Sequence, residues 1–286
     1  MDFSKPLDTV DLFNGCVKAR TLGARLIFIG TTVLGVPIPC LRLGRGKRAV
    51  ILAGAHHGME HITANIVLKF ALDLLQGELA CADEILSNRA VFAVPMLNVD
   101  GCAVSRGDAL PLSPERFDAS LFPRWQANAR GVDLNHNYDA GFSACKEAER
   151  AIGVTSPSRA RYGGELPQSE PETAALCRLT HALAPRLSVA VALHTQGEEI
   201  YFDYGGKIPR GARALAERMA LVSGYRLSRP EEDVASHAGY KDWVIDKYGV
   251  PAFTVECGRG TNPLPPEDFP EIYKKVRPIL TEAALF

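Results

Sequence analysis

Residues 49–61 read AVILAGAHHGMEH. The first seven, Ala49–Ala55, form a continuous apolar run, the pattern of a β-strand buried on both faces. From about Glu60 to Leu75 the apolar residues recur with helical spacing. A buried strand, a short polar turn and a helix make the repeating unit of an α/β sheet, whose ligands sit beyond the carboxyl ends of the strands. His57 and Glu60 fall in that turn, three residues apart. On a helical turn, side chains at that spacing converge on one point, and imidazole nitrogen and carboxylate oxygen are standard zinc ligands. Chance also puts H-x-x-E in polar strand-to-helix turns, and for the isolated motif that plainer account is the better one.

Outward from this stretch the same alternation continues. Val91–Pro95, Leu187–Leu193 and Pro251–Val255 read as further buried strands, and Arg213–Ser223 and Phe269–Ala284 as helices. Ser169–Leu183 carries a helix-start signature, with Ser169 three residues before Glu172 and Pro171 in the first turn. Ahead of Ala49, short β-rich runs (Ala24–Gly30, Thr32–Val36, Ile38–Leu43) lead to a tight turn over Gly44–Lys47. Residues 101–130, rich in Pro, Gly and charge, read as one long loop. The expected fold is an α/β three-layer sandwich with a central mixed, mostly parallel sheet flanked by helices. We expect one domain over residues 1–286, with roughly the first 45 as a β-rich extension of it.

Three further places carry chemistry. His194 ends the strand 187–193 and would face the same sheet edge as His57, so that His57, Glu60 and His194 offer three ligands and leave a fourth position open, as catalytic zinc requires. Glu256 ends the apolar strand 251–255, where a carboxylate is costly unless paired or used; beside a metal site it can act as a general base. In GVDLNHN, residues 131–137, Asp133 can accept from the second nitrogen of a ligand histidine, and Asn135 with His136 can hold a substrate carboxylate. Each residue alone has a structural explanation: a hydrogen-bonded strand-end histidine, an ion pair, an Asn/Asp-rich turn.

The ordered pattern is more specific than its parts. H-x-x-E, then G-V-D-L-N-x-N, then a strand-end histidine and a strand-end glutamate resemble the zinc carboxypeptidase superfamily, from about Ala49 to Pro265. By position, the resemblance implies one zinc ion on His57, Glu60 and His194, with Glu256 as general base, Asp133 behind a ligand histidine and Asn135 on the substrate carboxylate. Four segments, NARGVDLNHNY (128–138), YGGELPQSEPET (162–173), GYKDW (239–243) and ECGRGTNPL (256–264), are similar to bacterial γ-D-glutamyl-meso-diaminopimelate peptidases. This implies a small peptide or muropeptide substrate.

Departures from the family pattern bear on substrate. The carboxylate-gripping arginine of N-R-N is here His136, which lacks the permanent charge and fork geometry of arginine. The carbonyl-polarising arginine would fall near Gln126; Arg130, and after it Arg124, are the nearby replacements. The pocket tyrosine would fall near Val234, with Tyr240 as a stand-in unless it packs beside Trp243. Lys241 takes the position at the base of the specificity pocket and would favour an anionic group, unless it is a solvated surface lysine. His56 could compete as a ligand, but the spacing from the strand end favours His57 with Glu60; His61, His181 and His237 read as structural or surface residues.

Composition sets the outer limits. Hydrophobic residues make up 47%, charged residues 23% and the formal net charge is -1, ordinary for a soluble globular chain and without global attraction for nucleic acid or anionic membranes. Residues 1–19 lack an apolar signal core, no run of membrane-spanning length appears, and the seven cysteines are scattered with no C-x-x-C. These features lead us to expect a cytoplasmic location for the zinc peptidase that the resemblance implies. The alternatives are a carboxypeptidase for acidic C-terminal residues, an aspartoacylase-like deacylase of N-acyl amino acids, and a metal-free binding protein on the same scaffold.

Overall fold

The computed structural model describes residues 1–228 and 237–286. In chain order the first elements are α1 (Thr9–Thr21), β1 (Arg25–Thr31), β2 (Pro37–Leu43), β3 (Arg48–Ala53), α2 (Ile62–Gln76), α3 (Ala82–Asn88), β4 (Arg89–Val94), α4 (Val99–Arg106) and α5 (Phe142–Ala151). There follow α6 (Pro171–Leu183), β5 (Leu187–His194), β6 (Glu199–Tyr201), α7 (Ala212–Ser223), β7 (Arg226–Ser228), α8 (Tyr240–Tyr248), β8 (Ala252–Glu256) and α9 (Phe269–Leu285).

The strands form one sheet in the order β1-β2-β4-β3-β5-β8-β6-β7. Its centre, β4-β3-β5-β8, is parallel throughout, while β1, β2 and the β6/β8 pairing add antiparallel contacts. Parallel strands covered on both faces must be apolar at every position, and β3 shows why. Val50 and Leu52 enter the core shared with α1, α2, α7 and α9, whereas Ala49, Ile51 and Ala53 enter the core shared with α6 and α8. The expected sandwich and its mixed, mostly parallel sheet are therefore what the chain forms.

Four local expectations are corrected. The N-terminal region is not wholly β-rich: Thr9–Thr21 is a helix, capped by Asp8 accepting from the Asp11 N–H and burying Leu12, Cys16 and Ala19 on one stripe. Thr32–Val36 is the turn between β1 and β2, closed by Thr32 N–H on the Val36 carbonyl. The segment 101–130 is not all loop, because Asn98 caps α4 by accepting from Gly101 N–H and short 3-10 turns occupy 114–116 and 119–124. The helix expected from Glu60 begins at Ile62, preceded by a 3-10 turn over Gly58–Glu60. The position near Val234 lies outside the described residues.

Candidate active site

The turn after β3 is held from several sides. Thr63 donates its hydroxyl to the Glu60 carbonyl at 2.7 Å and accepts the Ala55 N–H at 2.8 Å. The N–H groups of Gly58 and Met59 bond to the carbonyls of Gln126 and Trp125, and the Asn98 amide reaches the His56 carbonyl. Gly58 is required here: a Cβ would stand 2.2 Å from the Gly101 carbonyl oxygen. The backbone thus fixes where His57 and Glu60 point before any ligand is considered.

Their side chains meet His194 at the end of β5. His57 Nδ1 lies 2.9 Å from Glu60 Oε1, His194 Nδ1 lies 3.0 Å from Glu60 Oε2, and the two Nδ1 atoms are 3.3 Å apart. All three residues are buried. Two imidazole nitrogens turned toward one carboxylate and toward each other form a donor set suited to zinc. On the far side of the His57 ring, Nε2 meets Asp133 Oδ1 at 3.1 Å, which fixes the ring with Nδ1 facing the cluster. Asp133 is itself held by the N–H groups of Asn135 and Arg161.

Electrostatics follow from this crowding. Burial alone would depress the His57 pKa, but the Glu60 and Asp133 carboxylates outweigh it and hold the imidazole well above its usual value. Burial would raise Glu60, and the two histidines overcome that and bring it to about 2. Asp133 is held far below the carboxylate range, its burial overridden by His57 and His136. Glu256 goes the other way, raised well above the usual value by burial and then by the Glu60 carboxylate. It is the register partner of His194 across β5 and β8 and of Glu199 across β6 and β8.

The remaining residues singled out in the sequence are placed as follows. Asn135 accepts the Tyr240 N–H at 3.0 Å, which ties the GVDLNHN turn to the start of α8. His136 is buried with Nδ1 facing Glu149 at 3.5 Å. Arg130, expected at the scissile carbonyl, instead pairs with Glu170 at 3.0 Å, its side chain 48% exposed. The Arg124 carbonyl receives Arg159. Gln126 instead touches the His57 ring, its Nε2 lying 3.4 Å from Nδ1 and 3.3 Å from Nε2. Tyr240, expected as a substrate-facing stand-in, is a core residue: it is 1% exposed, bonds Thr180 through its hydroxyl, and packs against Tyr138, His56 and Trp243. Lys241 is neither a free pocket cation nor a surface lysine, being 5% exposed and bonded to the Asp203 carbonyl and the Asp242 carboxylate.

The other histidines take structural partners. His56 meets the Tyr138 hydroxyl at 3.1 Å and is depressed well below the usual histidine range by burial and then by His194. His61 is lowered to about 4 by burial and Arg106. His181 and His237 meet the hydroxyls of Tyr248 and Tyr204. Three residues escaped sequence reasoning: Gln126, Glu149 and Asn262. The Thr195 hydroxyl donates to Asn262 Oδ1 while Asn262 Nδ2 donates to the Thr195 carbonyl, so Asn262 clamps the loop after His194. Gln126 had the right spacing as its signal; the other two had none.

Two histidines and a glutamate gathered beyond the parallel strands of a mixed α/β sheet define the class, that of carboxypeptidase-like proteins with a candidate metal centre. The family model described as zinc carboxypeptidase matches residues 23–278, and the chain belongs to that family. It is 34% identical over 264 residues to gamma-D-glutamyl-L-diamino acid endopeptidase 1 of Lysinibacillus sphaericus, covering 86% of this chain and 64% of that protein. It is 32% identical over 162 residues to murein peptide amidase A of Escherichia coli (strain K12), covering 54% of each. The chain thus spans about two-thirds and about half of these relatives' own lengths. In architecture it is similar to thrombin activatable fibrinolysis inhibitor, with a TM-score of 0.79 over 99% of this chain and 74% of that one at 18% identity, a likeness of fold alone.

Proposed function

We propose that the protein is a zinc-dependent peptidase that hydrolyses an amide bond next to a carboxylate-bearing residue, in particular the γ-D-glutamyl–diaminopimelate bond of cell-wall peptides. The observation that carries the hydrolytic reading is the convergence of His57, Glu60 and His194 beside Glu256. The substrate reading rests on the likeness to the Lysinibacillus endopeptidase, supported by the likeness to murein peptide amidase A.

His57, Glu60 and His194 would hold one zinc ion, and Asp133 would keep the His57 ring in register. Zinc, when bound, supplies Lewis acidity that activates water and polarises a carbonyl. Glu256 takes the proton of the attacking water and returns it to the leaving amine. Its raised pKa, set by burial and Glu60, suits a group that must both accept and donate a proton. Gln126 replaces the family's arginine as the side-chain donor nearest the cluster. A neutral amide there stabilises charge developing on the carbonyl oxygen with one hydrogen bond rather than a full cation. Asn135 and His136 hold the carboxylate of the leaving residue. Lys241, committed to Asp203 and Asp242, acts on substrate only through the charge left after that pairing.

Among the described residues no helix is long and apolar enough to cross a membrane. The seven cysteines are all free thiols, which supports a reducing compartment and leads us to place the protein in the cytoplasm. The test is a substrate panel: L-Ala-γ-D-Glu-meso-diaminopimelate, peptides ending in acidic residues, and N-acyl amino acids. Cleavage of the first alone is expected. Cleavage of only the acidic peptides, or only the N-acyl amino acids, would move the protein to one of the other family reactions.

A further inference from the structure

We infer that Glu149 is a positioning residue that orients His136 through Nδ1, so that the Nε2 side of the ring can bind a substrate carboxylate where the family uses arginine. The inference rests on the reading above, in which His136 meets that carboxylate. His136 ends the turn after Asp133, and Glu149 lies on the facing side of α5. Glu149 is fully buried, and each of its oxygens is occupied. Oε1 receives the Gly163 N–H at 2.9 Å and faces His136 Nδ1 at 3.5 Å; Oε2 receives Lys146 at 2.5 Å. The Cys145 thiol fills the remaining corner, 3.4 Å from Oε1 and 3.5 Å from His136 Nδ1. The Gly163 backbone presses the assembly closed: a Cβ there would stand 2.3 Å from the His136 carbonyl and 2.9 Å from Glu149 Oε1.

The chemistry of imidazole makes this arrangement matter. With Nδ1 turned to a fixed carboxylate, Nε2 points to the opposite side of the ring, where it bonds to no described residue. A neutral ring protonated at Nδ1 would offer a lone pair there and repel a carboxylate. An imidazolium held between two carboxylates, Glu149 at Nδ1 and the substrate at Nε2, donates to both. The groups facing His136 are Asp133, Cys145, Lys146 and Glu149, and the Glu149 carboxyl is itself kept ionised: burial would raise it, but His136 and Lys146 hold it below the usual range. The same His, Cys and Glu atoms lie at metal-like spacing. The ammonium on Oε2 and the N–H on Oε1 already satisfy the carboxylate, which favours a hydrogen-bonded support over a second metal site.

The experiment compares wild type, Glu149→Gln, His136→Ala and the double variant on two peptides that differ only in a free carboxylate or a carboxamide on the leaving residue. In Glu149→Gln the KM for the free carboxylate is expected to rise about tenfold, with kcat and the carboxamide substrate unchanged, the signature of lost ground-state binding. Adding Glu149→Gln to His136→Ala should cost nothing further. Equal losses on both peptides, full additivity or no change would overturn the inference. A readout independent of turnover is the His136 ring by nitrogen-15 NMR of wild type, where Nδ1 should carry a hydrogen-bonded, slowly exchanging proton that Glu149→Gln loses. An unprotonated Nδ1 in wild type, or two zinc ions per chain, would also overturn it. If wild type cleaves neither peptide, the functional reading fails, and the ring spectrum still decides the role of Glu149.

Discussion

His194 and Glu256 are register partners on adjacent parallel strands, β5 and β8. Register partners project to the same face of a sheet, so backbone pairing alone brings a candidate ligand and a candidate base to one edge. The loops beyond them are tied by the reciprocal Thr195–Asn262 hydrogen bonds and by Cys257 N–H on the His194 carbonyl.

Zinc uptake should release protons. The carboxylates of Glu60 and Asp133 hold the His57 imidazole above its usual pKa in the metal-free protein, so a metal must displace a proton there. Calorimetric titrations with zinc in buffers of different ionisation enthalpy should show net proton release and a weaker affinity at acidic pH. Binding without proton release would mean that His57 is not a ligand. Chelation should lower Tm, and one equivalent of zinc should restore it.

Asp133→Asn keeps the shape behind His57 and removes the charge. Zinc affinity is expected to fall by about 10–100-fold, measured by competition with a chelating dye. An unchanged affinity would show that the 3.1 Å contact is incidental.

Lys241→Met tests what the buried ammonium serves. Its removal leaves the Asp242 carboxylate without its cation in a buried site, so stability should fall by about 3–5 kcal/mol in denaturant titration. An unchanged stability with KM raised only for acidic substrates would show that the charge serves the ligand instead.

Glu172 gives stability a pH dependence of its own. Burial lifts its carboxyl to about 7, against hydrogen bonds from the Val33 N–H and the Asn128 amide, with Asp100 adding to the rise. Because the folded pKa lies above the unfolded one, the protonated form is favoured by folding. The contribution is present in full below about 4.5 and is lost as pH rises to about 7. The difference is on the order of 3 kcal/mol. Relative to wild type, Glu172→Gln should gain stability at pH 8 compared with pH 5, as read from Tm; parallel pH profiles would contradict this.

Much of the fold was legible because β3, β4, β5 and β8 are covered on both faces and so write themselves as apolar runs. The candidate cluster was legible because its members follow those runs directly. What escaped depends on partners distant in sequence. Helix α1 buries only a thin stripe, and β6 and β7 have three residues each, too few for a period to show. Arg130 looked available until folding brought Glu170, forty residues on, to its guanidinium. For Tyr240 the sequence left a pocket role and packing beside Trp243 both open, and Tyr138, Thr180 and Trp243 closing around it decide for packing. Glu149 carries no mark in the sequence, since its meaning comes wholly from lying across from His136.

Amide hydrolysis at the His57–Glu60–His194 centre, with Glu256 moving the proton, is open to a single assay. The direct measurement is release of free diaminopimelate from L-Ala-γ-D-Glu-meso-diaminopimelate by zinc-loaded protein, alongside Glu256→Gln with its zinc content determined. Release by wild type, a fall in kcat of at least about 100-fold in the variant, and one zinc per chain in both are expected. Intact substrate with zinc bound would contradict the substrate assignment, and undiminished turnover by the variant would contradict the role of Glu256.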